Sequence, residues 1–337
     1  APARGMFGGS PVYHRSSPLK AIQAKVPHAK VQFNDGTDPA AAANLAKASE
    51  VAIVFAVQHT SEGRDLESLS LPDKQDELIN AVAKANPRTI VVLETGGPVT
   101  MPWLNDVGAV LEAWYPGIRG GEAIANILFG DVNPSAKLPI TFPRSEQDLP
   151  FPEIPGTAQL RAARSAAAAA PAPAPGGPGR GAMPAFDIPY DKQQGLKIGY
   201  KWFDAEKKEP LFPFGYGLSY TTYAYSGLKV NVNGKNASVT FTVRNTGKVA
   251  GAEVAQVYAA LPQGLGEPPK RLVGWEKVQL APGEAKTVTV NIDPLFLCIF
   301  NEKKDGWELP QGQYTFMVGG SSRNLPLSQT ANINASY

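Results

Sequence analysis

Cysteine is almost missing: Cys298 stands alone in 337 residues, so an internal disulfide is excluded, and with three histidines no Cys/His spacing resembles a zinc site. The lone thiol reads as a small core residue. No cofactor or metal is expected. A charge excess is missing too, since 32 basic against 30 acidic residues leave +2, which gives no electrostatic reason to expect nucleic acid as a partner. No apolar run approaches the ~18 residues of a membrane span, and the opening APARGMFGGS has no apolar core like that of an export signal. No Gly-x-Gly-x-x-Gly follows a strand pattern, which argues against a dinucleotide fold. The glycines of GMFGGSPV are not followed by Lys-Ser/Thr, which argues against a phosphate-cradling loop.

What is present is an ordinary globular composition, 43% apolar and 18% charged, at a length that suggests two domains. In the first half, strand and helix patterns alternate. Val31 and Phe33 alternate with polar neighbours as in a short strand, and Asp38-Pro39 reads as cap and first position of a helix over AAAANLAKAS. Val51 to Val57 is a continuous apolar run, as expected of a parallel strand covered on both faces. After Pro72 comes a helix with Asp73 as its cap and Leu78, Ile79, Val82 and Ala85 as its apolar stripe. Thr89–Leu93 and Ala109–Ala113 are further strands, and a helix carrying Ala123, Ile124, Ile127 and Leu128 stops at Gly130. Such β-α-β-α alternation predicts a doubly wound, mostly parallel α/β sandwich.

Composition changes near residue 144. Residues 165–182, SAAAAAPAPAPGGPGRGA, have no periodic apolar pattern and read as a linker or surface insertion; an overhang at a substrate entrance is the functional alternative. Beyond the aromatic segment 199–226 the period becomes two. Val239, Phe241 and Val243, then Val288, Val290 and Ile292, then Tyr314, Phe316 and Val318 alternate with polar residues, separated by turn signals such as Asn233-Gly234 and Pro282-Gly283. Short alternating strands without helices predict a β-sandwich.

The chemistry is expected in the segment after the strand at 51–57, where Gln58, His59, Thr60, Ser61, Glu62, Gly63, Arg64, Asp65 and Glu67 crowd together. In open α/β sheets, ligands bind outside the carboxyl ends of strands. From spacing alone Glu62 and Glu67 are equal candidates for a proton-donating carboxyl group. His59 has no sequence-near Ser/Asp partners suited to a hydrolase triad. Trp114, Tyr115, Trp202 and Phe203 could stack on the face of a ligand, although packing is the commoner role of such residues.

EGRDLESLSLP with Gln75, then IVVLETGGPV at 90–99 and EAWYPGIRGGEAIANILFGDVNPSAKLPITFP at 112–143, together resemble glycoside hydrolase family 3, in the C-terminal α/β domain of its β-glucosidases. GYKWFDAEKKEPLFPFGYGLSYTTYAYS at 199–226 resembles the segment that joins this domain to the last module. The resemblance implies a fibronectin type III-like sandwich at the end. The resulting division is 1–145 for the α/β domain, 146–225 for a linker with its low-complexity insertion and aromatic connector, and 226–337 for the fibronectin-like domain. It also implies a retaining β-glucosidase acting on terminal non-reducing β-D-glucosyl residues, with Glu62 as general acid/base and Glu67 as runner-up. His59, Arg64 and Asp65 become candidate substrate contacts; Leu66 stands where the family loop commonly has arginine. The family's nucleophile is an aspartate in a Ser-Asp-Trp context on an N-terminal (β/α)8 barrel, and this sequence contains no Asp-Trp pair. The expected partners are therefore a β-glucoside and a barrel, on another chain or an upstream half, and the chain alone is expected to be inactive. Periplasmic or secreted placement is what the resemblance implies. A noncatalytic carbohydrate-binding or scaffold protein lacking the barrel is the alternative.

Overall fold

The computed structural model describes residues 16–60, 66, 68–153, 162 and 195–335. The first half is built on a parallel sheet of order β1-β2-β3, formed by Ala52–Val57, Thr89–Glu94 and Ala109–Glu112. Ala52 is registered with Thr89, Val57 with Glu94 and Leu93 with Glu112, so all three strands deliver their carboxyl ends to one edge. That shared edge is the geometric origin of the site.

Helices α1 (Pro18–Lys25), α2 (Pro39–Lys47), α3 (Gln75–Ala85) and α4 (Gly120–Leu128) accompany the sheet. Helix α2 begins as its sequence requires, with the Asp38 carboxylate accepting from Ala40 N at 2.9 Å and Pro39 in the first turn. Its Ala42 and Ala46 join Ile79 and Val82 of α3 over Val54, Ala56, Val91 and Leu93 of the sheet, a single buried cluster. Ile22 of α1 and Ile124 of α4 are buried outside that cluster, where α1 packs against α4. Helix α4 stops before Gly130, whose φ of 78° no longer fits a helix.

Two local expectations fail. Asp73 does not cap α3: it and Lys74 both lie in the left-handed region (φ 56° and 59°), and the helix entry has no side-chain cap. The chain is held there by Gln75 instead. Its side-chain Nε2 donates to the carbonyls of Val57 and Pro72, both at 2.9 Å, and its Oε1 accepts from Val57 N at 2.8 Å. A side-chain amide thus supplies the hydrogen bonds that a neighbouring strand would give the end of β1. The strand expected around Val31 and Phe33 does not form, and Phe33 points into solvent at 71% exposure. Three alternating residues with no neighbouring strand to pair with are too short a signal.

The second half is an antiparallel sandwich. One sheet has the order β12-β11-β6-β7, from Leu327–Ile333, Gly312–Gly319, Gly251–Ala260 and Arg271–Leu280; the other is β4-β5-β8, from Tyr223–Asn233, Asn236–Asn245 and Ala285–Ile292. A small hairpin joins β9 (Ile299–Asn301) to β10 (Gly306–Glu308). The period-two residues read from sequence fill the space between the sheets: Val239, Phe241 and Val243 pack with Val288, Val290, Ile292, Tyr314, Phe316 and Val318. Cys298 is wholly buried among them, and burial pushes its thiol above the ordinary value.

Polar contacts join the two halves. Asn133 donates to Ala250 O at 2.9 Å and accepts from Ser219 Oγ and Tyr220 N. Lys137 reaches Glu253 of β6 at 3.0 Å, with both side chains largely buried, and Tyr225 donates to the same carboxylate at 2.7 Å. A short helix α5 (Tyr200–Ala205) presents Asp204 to Lys270 at 2.5 Å and to Arg323 at 3.1 Å. Gln256 of β6 donates to the carbonyls of Gly215 and Gly320. The aromatic connector is thus stitched to the sandwich through side chains, and Phe142 bridges Phe212 to tie it back to the α/β half.

Candidate active site

The ends of β1, β2 and β3 bring together Gln58, His59 and Thr60, then Glu94, Thr95 and Gly96, then Glu112, Trp114 and Tyr115. Gln58 continues the ladder beyond β1 by donating its N–H to Glu94 O at 3.1 Å, and its side-chain oxygen accepts from Gly96 N at 3.2 Å. It is buried, whereas His59 and Thr60 emerge into solvent. Glu62, Arg64, Asp65 and Glu67, the acid, its rival and two of the substrate-contact candidates, lie outside the described residues.

Both stems of that segment are described. On the entry side, the Tyr115 hydroxyl donates to Gln58 O at 2.8 Å and lies 2.7 Å from Thr60 Oγ1. On the exit side, Leu69 N donates to the Glu146 carboxylate at 2.6 Å and Leu69 O accepts from Thr100 N at 2.9 Å. The residues that flank the carboxylate-rich stretch in sequence are therefore anchored on both sides.

Sequence reasoning missed Glu112. It ends β3, and burial pushes its carboxyl up to about 7, outweighing the opposing pull of hydrogen bonds from Trp114 N and Thr95. Trp114 N donates to Glu112 Oε1 at 2.9 Å, and both carboxyl oxygens lie 3.3 Å from Thr95 Oγ1. The Thr95 hydroxyl also lies 2.8 Å from Gly97 O, so its single proton is shared between that carbonyl and the Glu112 carboxyl. The available signal was a carboxylate closing an apolar strand at the same edge as the loop. Glu94, which ends β2, is also raised by burial.

The four aromatics take different roles. Trp114 has φ 53°, a conformation costing a bulky residue about 1–2 kcal/mol, and persists because Glu112 holds its N–H and its ring meets Phe142 edge-on at 6.2 Å. That turn aims Tyr115 back at the end of β1. Trp202 donates to Asp148 O at 2.8 Å, and Phe203 is buried, so both serve packing between segments. Among the described residues no group of His, Cys, Asp and Glu side chains could hold a metal ion, and no helix is long and apolar enough to cross a membrane.

A three-stranded parallel α/β domain followed by an antiparallel β-sandwich is a two-domain architecture that comparison with known proteins recovers. Residues 3–220 match the glycosyl hydrolase family 3 C-terminal domain, and residues 253–322 match the fibronectin type III-like domain. The chain belongs to glycosyl hydrolase family 3. It is 40% identical over 296 residues to beta-glucosidase B of Emericella nidulans, covering 84% of this chain and 32% of that protein. It is 36% identical to the thermostable beta-glucosidase B of Acetivibrio thermocellus, covering 90% of this chain and 38% of that one. The crystal structure of DesR, a beta-glucosidase from Streptomyces venezuelae in complex with D-glucose, superposes with a TM-score of 0.74 at 42% identity, covering 88% of this chain and 35% of DesR. The chain thus spans about a third of the length of the relatives it matches.

Proposed function

We propose that this chain is the acid-bearing portion of a retaining β-glucosidase that releases terminal non-reducing β-D-glucosyl residues. What supports the reading is that the EGRDLESLSLP segment follows β1 in sequence, in a family 3 domain whose relatives are β-glucosidases. In this reading Glu62 protonates the leaving oxygen and then, as carboxylate, activates water, with Glu67 as its rival. His59, Arg64 and Asp65 contact the sugar, and His59 is exposed at the sheet edge where such a contact is available.

The nucleophile is an aspartate on a (β/α)8 barrel that packs with this chain, on the same or a separate polypeptide. The chain by itself forms no glycosyl-enzyme intermediate and turns over no glucoside. Glu62→Ala in the complete enzyme tests the assignment. It should slow glucosides with poor leaving groups by about 100-fold or more relative to activated aryl glucosides, which need little acid assistance. Equal losses for both would count against Glu62 as the acid. Glucose binding without hydrolysis, even with the barrel present, would favour a noncatalytic carbohydrate-binding role.

A further inference from the structure

We infer that Tyr115 is a positioning residue for the proposed acid: its phenol fixes the point at which the chain leaves β1. The inference rests on the reading of Glu62 as acid/base, two residues beyond the pinned stem. Tyr115 is a side chain with 53% of its surface exposed, yet its hydroxyl makes two contacts, both to this stem. With the phenolic proton on Gln58 O, Thr60 Oγ1 becomes the donor to the phenolic oxygen, so one group holds a carbonyl and a side chain two residues apart. The aim of the ring is fixed from behind. Trp114 turns through a left-handed conformation, Glu112 holds its N–H, and Phe142 meets its ring. Gly96 gives the phenol its space, because a Cβ there would stand 2.9 Å from the hydroxyl and 3.3 Å from Thr60 Oγ1.

A carboxylic acid serves as a proton donor only when its oxygen reaches the leaving group within hydrogen-bond distance, and small displacements of a positioned group lower kcat more than binding. A stem pinned at Gln58 and Thr60 limits where residue 62 can go. This differs from a sugar-stacking role for Tyr115, which needs only the ring.

Tyr115→Phe keeps the ring and removes both contacts. In the complete enzyme containing this chain, kcat for an alkyl glucoside should fall about 10- to 100-fold with KM little changed, while kcat/KM for an activated dinitrophenyl glucoside, which reports the glycosylation step alone, loses less than about threefold. Hydrogen exchange at residues 58–60 should accelerate, with the sandwich strands unaffected. Gly96→Ala, which crowds the phenol away from the stem, should give the same pattern. Unchanged exchange at 58–60 in both variants, unchanged kcat, or a rise in KM alone would each overturn the proposal. Glu62→Ala, measured in parallel, separates the two readings. If that variant shows no leaving-group dependence, the acid assignment fails and the catalytic part of this inference fails with it, while the exchange result still decides whether Tyr115 pins the stem.

Discussion

Replacing Glu112 by glutamine should stabilise the α/β domain at alkaline pH and leave it nearly unchanged at pH 4 to 5. In the folded protein the carboxyl titrates near 7, against an ordinary 4.5. The unfolded chain therefore releases this proton first, and between those values the native state holds more protons. Stability from this group is fully present below about pH 4.5, falls as pH rises, and is lost above about pH 7. A gap of roughly 2.5 pH units at about 1.4 kcal/mol each gives ~3.5 kcal/mol, and partial contact with solvent reduces it to about 2 kcal/mol. Glutamine reproduces the protonated form: its oxygen can accept from Trp114 N and its amide can donate to Thr95 Oγ1, the two groups Glu112 now faces. It has no proton to lose. Urea unfolding read by hydrogen exchange in β1–β3 should therefore show matched proteins at pH 4.5, with the variant ahead by about 1 M in midpoint at pH 8.5, for a slope of about 2 kcal/mol/M. A difference that stays flat with pH, or a variant that is weaker at pH 8.5, would refute the buried-acid argument.

Two structural predictions follow from other contacts. Lys137→Met leaves the buried Glu253 carboxylate with Tyr225 as its remaining side-chain partner from this cluster, and should cost about 3–5 kcal/mol in chemical denaturation, of which Lys137→Met/Glu253→Gln should recover at least half. A double variant no more stable than the single one would show that lost packing, not the stranded charge, sets the cost. Gln75→Ala removes the amide that satisfies both backbone groups of Val57 and should cost about 2–3 kcal/mol, with accelerated exchange at Val57 as its local signature. Glu at this position keeps the size but cannot donate to the Val57 carbonyl, so Gln75→Glu should also lose stability.

Where sequence periodicity coincides with burial, the fold was legible. Within the continuous apolar run at 51–57, residues 52–57 became β1, and the alternation at 239–243, 288–292 and 314–318 became the inner faces of the sandwich, because a period of two puts every apolar side chain of a strand on one face. The family motifs added the family, since they occur in order along the chain and the matched model spans residues 3–220. What stayed illegible is short or mediated by side chains. Val31 and Phe33 alternate without a partner strand, and alternation alone cannot tell an edge strand from an exposed segment. Asp73 has the chemistry of a cap but lies in the left-handed region, and Gln75, quoted from sequence only as part of a motif, serves as a surrogate strand.

The site divides in the same way. The location of the acidic segment at a strand end follows from parallel topology, which gathers the carboxyl ends of β1, β2 and β3 whatever residues they carry. The groups that control its stem come from β3, more than fifty residues later, and nothing in local pattern links Glu112 or Tyr115 to Gln58. Their connection depends on register: Leu93 lies beside Glu112 and Val57 beside Glu94, which brings the turn after β3 within a hydrogen bond of the residue after β1. A shift of that register would carry Tyr115 past Gln58 and release the stem while leaving every local motif intact. The alignment of three parallel strands is thus itself part of the proposed catalytic machinery, because it sets where the chain carrying Glu62 departs from the sheet.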